Sequence, residues 1–194
     1  MVMIRHERTA DVAAREALLD LCFGADRTAK TSERLREGRL PAAGLSFVAT
    51  EHGRLIGTVR LWHVSASPGR PALLLGPLAV DPDCRSRGIG AALMERVIAE
   101  ARQRGHREIF LVGDAPYYGR FGFAAAHAGK LVLPGPFERD RLLGLALTAD
   151  AAAEAAGLVR PAGASAPGVA EVAADAVAMR RTRAGRRSRL SHAA

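Results

Sequence analysis

Three features of the sequence predict an α/β domain with a mixed sheet around a central parallel βαβ unit. Pro71 to Val80 is uncharged and rich in Leu, as a buried central strand requires. In Ile89 to Arg104 the residues Ile89, Leu93, Val97 and Ala101 recur at helical spacing, with Ala92 and Ile98 widening the stripe. Arg107 to Gly113 then reads as the next strand. A strand, a helix and a strand of these lengths form a crossover that leaves the two strands parallel. The 194 residues suffice for one domain, or one domain with a tail, and for a core without metal or disulfide support.

The elements around this unit follow in order. Met3 to Glu7 reads as an opening strand. Thr9 or Asp11 caps a helix to about Phe23, with Ala14, Leu18, Leu21 and Cys22 on one side. Arg27 to Gly38 is polar and reads as a second short helix stopped by Gly38. Leu45 to Glu51 and Arg54 to Val64 flank the turn signal His52-Gly53 and read as a hairpin. Ser65 to Pro71 reads as a loop. Gly76-Pro77 interrupts the Leu-rich strand, and proline donates nothing to a ladder, so a bulge or splayed edge is expected there. The exposed pairs Arg96/Glu100 and Glu100/Arg104 support the central helix, which Gly105 ends. Asp114 opens a short helical segment through Tyr117, Tyr118 and Arg120. Lys130 to Leu133 and Arg141 to Thr148 read as two further strands separated by Pro134-Gly135-Pro136. After about Ala149 the composition shifts to Ala, Gly, Ser, Pro and Arg, with helices expected at Ala151 to Ala156 and Ala170 to Arg183 and a disordered end. The division expected is a domain over residues 1–160 and an Ala/Arg-rich, partly disordered extension over 161–194.

The net charge of +8 invites a nucleic-acid reading. Its placement argues against one, because Arg180, Arg181, Arg183, Arg186, Arg187 and Arg189, against Glu171 and Asp175, carry half of it in the tail. A solvated basic end is the preferred reading of that tail. Two cysteines, Cys22 and Cys84, make no disulfide framework and no zinc pattern, and no metal is expected. The first eight residues become charged too early for a signal peptide, and no apolar run approaches the ~18 residues of a membrane span, so the expected setting is the cytoplasm, with no membrane partner.

The chemistry concentrates in Leu78-Ala79-Val80-Asp81-Pro82-Asp83-Cys84-Arg85-Ser86-Arg87-Gly88-Ile89-Gly90-Ala91. A hydrophobic strand runs into an Arg/Gly loop that opens a helix. This sequence places unpaired N–H groups and the positive end of a helix dipole beside small residues. Gly88 and Gly90 let an anion approach the backbone, and Arg85 and Arg87 add charged donors, so the loop suits a pyrophosphate. There is no Gly-Lys-Ser/Thr and no GxGxxG, which argues against a P-loop or dinucleotide fold. Taken alone, the loop also reads as an ordinary tight turn whose glycines serve packing.

Arg85-x-x-Gly88-x-Gly90, after Leu-Ala-Val-Asp-Pro and before an amphipathic helix, resembles the acyl-CoA-binding motif of the GNAT superfamily of N-acetyltransferases. Tyr117-Tyr118-Gly119-Arg120-Phe121-Gly122-Phe123 resembles that superfamily's later Tyr-x-x-x-Gly-Phe element, at the right separation. With the following Leu-Pro-Gly-Pro-Phe-Glu, it is similar to a bacterial, mostly uncharacterised branch of predicted acetyltransferases. The resemblance spans roughly Ile4 to Pro161 and is strongest from Leu78 to Phe123. It implies a mostly antiparallel sheet with helices on both faces, and transfer of acetyl from acetyl-CoA to a small-molecule or peptide amine by direct attack in a ternary complex. It implies that Leu78, Ala79 and Val80 hold the pantetheine arm and that Arg85, Ser86, Arg87, Gly88, Ile89, Gly90 and Ala91 hold the pyrophosphate. It implies that Tyr118 protonates the leaving thiolate, for which a phenol near pKa 10 is a plausible acid. A homodimer is a further expectation, since the family often dimerises. The alternative is an acyl-CoA sensor without transferase activity.

Gly113-Asp114-Ala115-Pro116 stands where many family members carry an asparagine that contacts the cofactor, so no equivalent contact is assigned. Asp114 reads as a helix cap, Phe121 and Phe123 as core, and Arg120 as a solvating residue. Glu51 and His63 are candidates for the acceptor's base, and neither is assigned. Arg27 to Arg36 corresponds to the region where the family shapes its acceptor pocket. Cys84 has no neighbour in sequence that would activate it as a nucleophile.

Overall fold

Strands buried on both faces form one sheet between Val2 and Ala146 in the computed structural model, which describes residues 1–67, 70–149, 151 and 155–167. The elements are β1 (Val2–His6), α1 (Val12–Phe23), α2 (Thr31–Arg34), β2 (Ser46–Glu51), β3 (Arg54–Ser67), β4 (Arg70–Val80), α3 (Ile89–Gln103), β5 (Glu108–Val112), α4 (Ala115–Gly119), β6 (Leu131–Val132), β7 (Leu142–Ala146), β8 (Gly157–Leu158) and β9 (Arg160–Pro161). The strand order is β1-β2-β3-β4-β5-β7, and β9 adds to β3 at Val64 and Ser65. Every neighbouring pair along that order is antiparallel except β4–β5, which α3 connects in parallel. This is the expected mixed, mostly antiparallel sheet. One compact unit covers Met1–Gly163, and a second begins at Ala164.

Each face of the sheet buries its own core. On one side α3 packs Ile89, Leu93, Met94, Val97, Ile98 and Ala101 against Phe47, Val59, Leu61, Leu73, Ile109 and Leu143. Each such side chain contributes about 1.5–3 kcal/mol on leaving water. On the other side Trp62, Val64, Leu74 and Phe110, the alternate residues of the same strands, meet Leu35, Leu131, Leu133 and Val159. Period-2 alternation thus supplies both cores from single strands.

Three expectations change. The stretch Ser65 to Pro71 is not a loop: β3 and β4 pair out to Ser67 opposite Arg70, because alternation continues to the hairpin's tip. On α1 the buried residues are Arg15, Leu18 and Leu19, while Leu21 is exposed and Ala14 faces solvent. The reason is the buried carboxylate of Glu7, which draws the Arg15 guanidinium inward and turns the helix by a fraction of a turn. Beyond Ala149, β8 and β9 appear where no strand was expected. Most of the Ala151 to Ala156 helix and all of the Ala170 to Arg183 helix and the arginine tail lie outside the described residues.

The feature that positions the site is the partial pairing of β4 with β5. They bond only at Leu73–Ile109 and Leu74–Phe110, and the ion pair Arg70–Glu108 (2.9 Å) ties this end. At Gly76-Pro77, whose peptide is cis, β4 turns away, and its register against β3 shifts between Val59 and Leu61. The Trp62 indole N–H donates to the Gly76 carbonyl (2.6 Å) and so holds the bend.

Candidate active site

Past the bend, Leu78, Ala79 and Val80 pair with β3 on one side only. The Asp81 N–H donates to Ile56 O (2.9 Å), so by antiparallel alternation Ala79 also turns its peptide groups toward β3. Leu78 and Val80 turn theirs the other way, along an edge that no described strand covers. The Cys22 thiol donates to Val80 O (3.4 Å) there, from the last turn of α1.

That edge leads into the loop before α3. Asp81 accepts from the Asp83 N–H (3.0 Å) and sets the first bend. Ser86 and Gly88 take positive φ, 61° and 76°, which brings the chain into α3 without a side-chain cap. The first helical bond at this end runs from Ala92 N–H to Gly88 O (3.0 Å). The N–H groups of Ile89, Gly90 and Ala91 precede it and are free to meet an anion. At Gly90 a Cβ would lie 2.8 Å from the Tyr117 hydroxyl, so only glycine keeps this face of the helix open beneath the tyrosine. Arg85 is exposed and lines the cleft between β4 and β5. Arg87 is engaged elsewhere: its guanidinium forms a two-bond pair with Glu51 (2.7 and 3.0 Å) and contacts the buried Cys84 sulfur (3.5 Å).

The opposite wall is made by α4. Asp114 caps it, accepting from the Tyr117 N–H (3.3 Å) as expected. The two tyrosine rings meet edge-on, 4.9 Å between centroids, and both are half-buried. Phe123 is core and Phe121 packs partly buried against it. Arg120 lies over the Tyr117 ring (4.6 Å) as a stacking partner. Burial, and secondarily the Tyr117 hydroxyl, push the Tyr118 phenol up to about 12, while the charge of Arg141 works the other way. At Gly113 a Cβ would lie 2.2 Å from Tyr118 Cε2, so the tyrosine ring occupies the space that a side chain at 113 would need.

The cleft holds about 810 Å³. Its floor is Leu75, Gly76, Pro77 and Leu78 of β4, and one wall is Val112, Gly113, Tyr117 and Tyr118. The other wall comes from the α1–α2 region with Phe23, Arg27, Lys30, Ser32, Glu33 and Arg36, and Arg141 closes the far side. The sequence singled out Arg27 to Arg36 as a stretch without distinguishing Arg36 within it, and Arg141 and the Trp62 hold on Gly76 carried no local signal. The two base candidates are not in the cleft. Glu51 is on the outer side of the Arg/Gly loop, where the Arg87 hydrogen bond holds its carboxyl below its usual range. His63 stacks near His106 (5.6 Å) on β3. The carboxylates that line the cleft are Glu33 and Asp114.

An open strand edge runs into an uncapped helix N-terminus faced by a tyrosine, which puts unpaired peptide groups beside amides that can meet an anion. Among the described residues no cluster of three potential ligands could hold a metal, and no helix is long and apolar enough to cross a membrane. The family model for GNAT acetyltransferases matches residues 13–123. The protein belongs to the GNAT acetyltransferase family. A curated relative, the uncharacterised N-acetyltransferase YjhQ of Escherichia coli K12, is 30% identical over 118 residues, which are 59% of this chain; the match spans 65% of that relative's length. Among solved structures, the GNAT family N-acetyltransferase YhbS of Escherichia coli, in complex with CoA, is 31% identical with a TM-score of 0.71, over 83% of this chain and 89% of that one. A GNAT family acetyltransferase of Brucella melitensis in complex with acetyl-CoA is 27% identical with a TM-score of 0.61, over 88% and 97%.

Proposed function

We propose that the protein is an acetyl-CoA-dependent N-acetyltransferase that transfers acetyl to an amine by direct attack in a ternary complex. The observation that carries this reading is the continuity of the outward peptide groups of Leu78 and Val80 with the free N–H groups of Ile89, Gly90 and Ala91, opposite Tyr118. The CoA-bound and acetyl-CoA-bound relatives support it.

In this reading acetyl-CoA supplies the activated thioester. Leu78 and Val80 hold the amide groups of its arm as a neighbouring strand would. The α3 amides hold the pyrophosphate, with Arg85 as the charged donor and Ser86 and Gly88 shaping the turn. Arg87 serves this site indirectly, by pinning the loop to Glu51. Tyr118 stays protonated across the working pH range because burial disfavours its anion, so it is always a donor to the departing sulfur. The acceptor amine attacks only when neutral, so turnover rises with pH up to the amine's own pKa. The transferase unit is assigned to residues 1–160, a boundary that falls within β9, and the cytoplasm is the setting that suits two free cysteines.

The test is calorimetric titration with CoA, followed by acetyl-CoA turnover with a panel of amines read as free thiol. Micromolar binding and amine-dependent thiol release are expected. Binding without release for every amine would indicate a sensor, and absence of binding would overturn the site.

A further inference from the structure

The acceptor end of the cleft is strongly cationic, and one of its cations is buried with an unused donor. Arg36 is only 7% exposed, although a guanidinium is expensive to bury without full pairing. Its Nε donates to Ser32 O (3.2 Å) and one terminal nitrogen pairs with Glu33. The other, Nη1, has no hydrogen-bond partner among the described residues. It lies against the cleft floor, 3.5 Å from where a Cβ on Gly76 would stand. Burial lowers the Arg36 pKa, Glu33 offsets part of this, and the charge of Arg27 adds to the lowering. Two further cations face the same space. Lys30 sits over the Phe23 ring (4.9 Å) and has no carboxylate partner among the described residues. Among the described residues, the one carboxylate paired with Arg141 is the exposed Glu138, at 3.5 Å.

We infer that the acceptor is an amine carrying a carboxylate a few bonds from its nitrogen, a small amino acid, with Arg36 Nη1 as the anchor of that carboxylate and Arg141 and Lys30 as its surrounding field. This rests on the transferase reading and names its substrate class. The spacing supports it. In that reading the arm pairs with Leu78, two residues along the chain from Gly76, so the two positions are at most roughly 7 Å apart. An acceptor that sets its carboxylate on Nη1 and its amine toward the end of the arm is therefore a small one. The same charges repel an ammonium ion, so they favour the neutral, nucleophilic amine. They also disfavour polyamines and lysine-rich peptides, which would bring positive charge into a cationic wall.

The experiment uses the full chain and a set of free amino acids, their carboxamides, spermidine and a lysine-rich peptide. Rates are compared at equal concentration of neutral amine, with a CoA titration on the same preparation. At least one amino acid should exceed its carboxamide by tenfold or more in kcat/KM. Arg141→Gln and Lys30→Gln, both on exposed side chains, should raise that amino acid's KM severalfold, and by more than they raise the carboxamide's KM. Arg36→Gln, checked for folding by its melting temperature, should abolish the preference. Equal rates for acid and amide, preference for the polycations, or no turnover of any amino acid would overturn the inference. A normal CoA titration beside such a result leaves the transferase reading standing, and a blank titration removes both.

Discussion

The proposed donor half and the proposed acceptor half of the cleft are built from different materials. The donor half consists of peptide groups: the edge of β4 at Leu78 and Val80, and the first turn of α3 with Gly88 and Gly90. The proposed acceptor half is dominated by long charged side chains, Lys30 and Arg36 from the α1–α2 region and Arg141. Peptide groups are the same at every residue, so a backbone site needs only small residues and a defined turn. A side-chain site can change its ligand with a single substitution. The contrast explains how one fold can keep a common donor and vary its acceptor.

Tyr118 stands where the two halves meet, and removing its hydroxyl gives the largest expected effect. Tyr118→Phe should lower kcat by about 100-fold or more, in the range of a lost general acid, with CoA affinity changed less than threefold. A kcat within threefold of the parent would remove the acid role from Tyr118 and leave the two halves without a shared catalytic group.

The same residue links the site to stability. Its pKa is raised from 10.0 to about 12 in the folded chain, so ionisation favours the unfolded state. The contribution is complete below pH 10, and it is lost as pH climbs through the folded value. Two pKa units correspond to about 2–3 kcal/mol. Denaturant midpoints measured from pH 9 to pH 12 should fall, and should fall less in Tyr118→Phe. Parallel curves for the two proteins would show that Tyr118 ionises freely.

Gly88→Val addresses the donor half alone. A β-branched residue at φ 76° costs about 1–2 kcal/mol and moves the loop amides. CoA affinity should drop tenfold or more while the ratio of rates between two acceptors stays constant. A change in that ratio would show that the halves are coupled. The smallest effect belongs to Arg96, on the exposed side of α3, whose pair with Glu100 (3.2 Å) is worth about 0.3–0.5 kcal/mol. Arg96→Gln should lower the midpoint slightly and change neither donor affinity nor acceptor choice, and a marked change in either would place this face of α3 in the site.

The βαβ unit, the glycine turn before α3 and the bend in β4 were legible in the sequence because their determinants are local. The stripe of Ile89, Leu93 and Val97, the glycines before it and the Gly76-Pro77 interruption all lie within a few residues of what they control. The limits of such reading show at α1, where helical spacing offered Leu21 for burial and the Glu7–Arg15 pair instead turned Leu19 inward. They show again at Glu51, a plausible base by position on a strand but a partner of Arg87 in space.

The sequence by itself determined the βαβ unit, the free amides at the start of α3, the placement of Tyr118 on a short capped helix and the family these motifs belong to. Each depends on backbone geometry set by near neighbours. Only the tertiary structure decided which charges face the cleft, that Trp62 holds the Gly76 bend, and that Gly113 is required by the ring of Tyr118. Those facts depend on side chains from segments far apart in the chain, and their meeting is governed by packing of the whole sheet rather than by any local pattern.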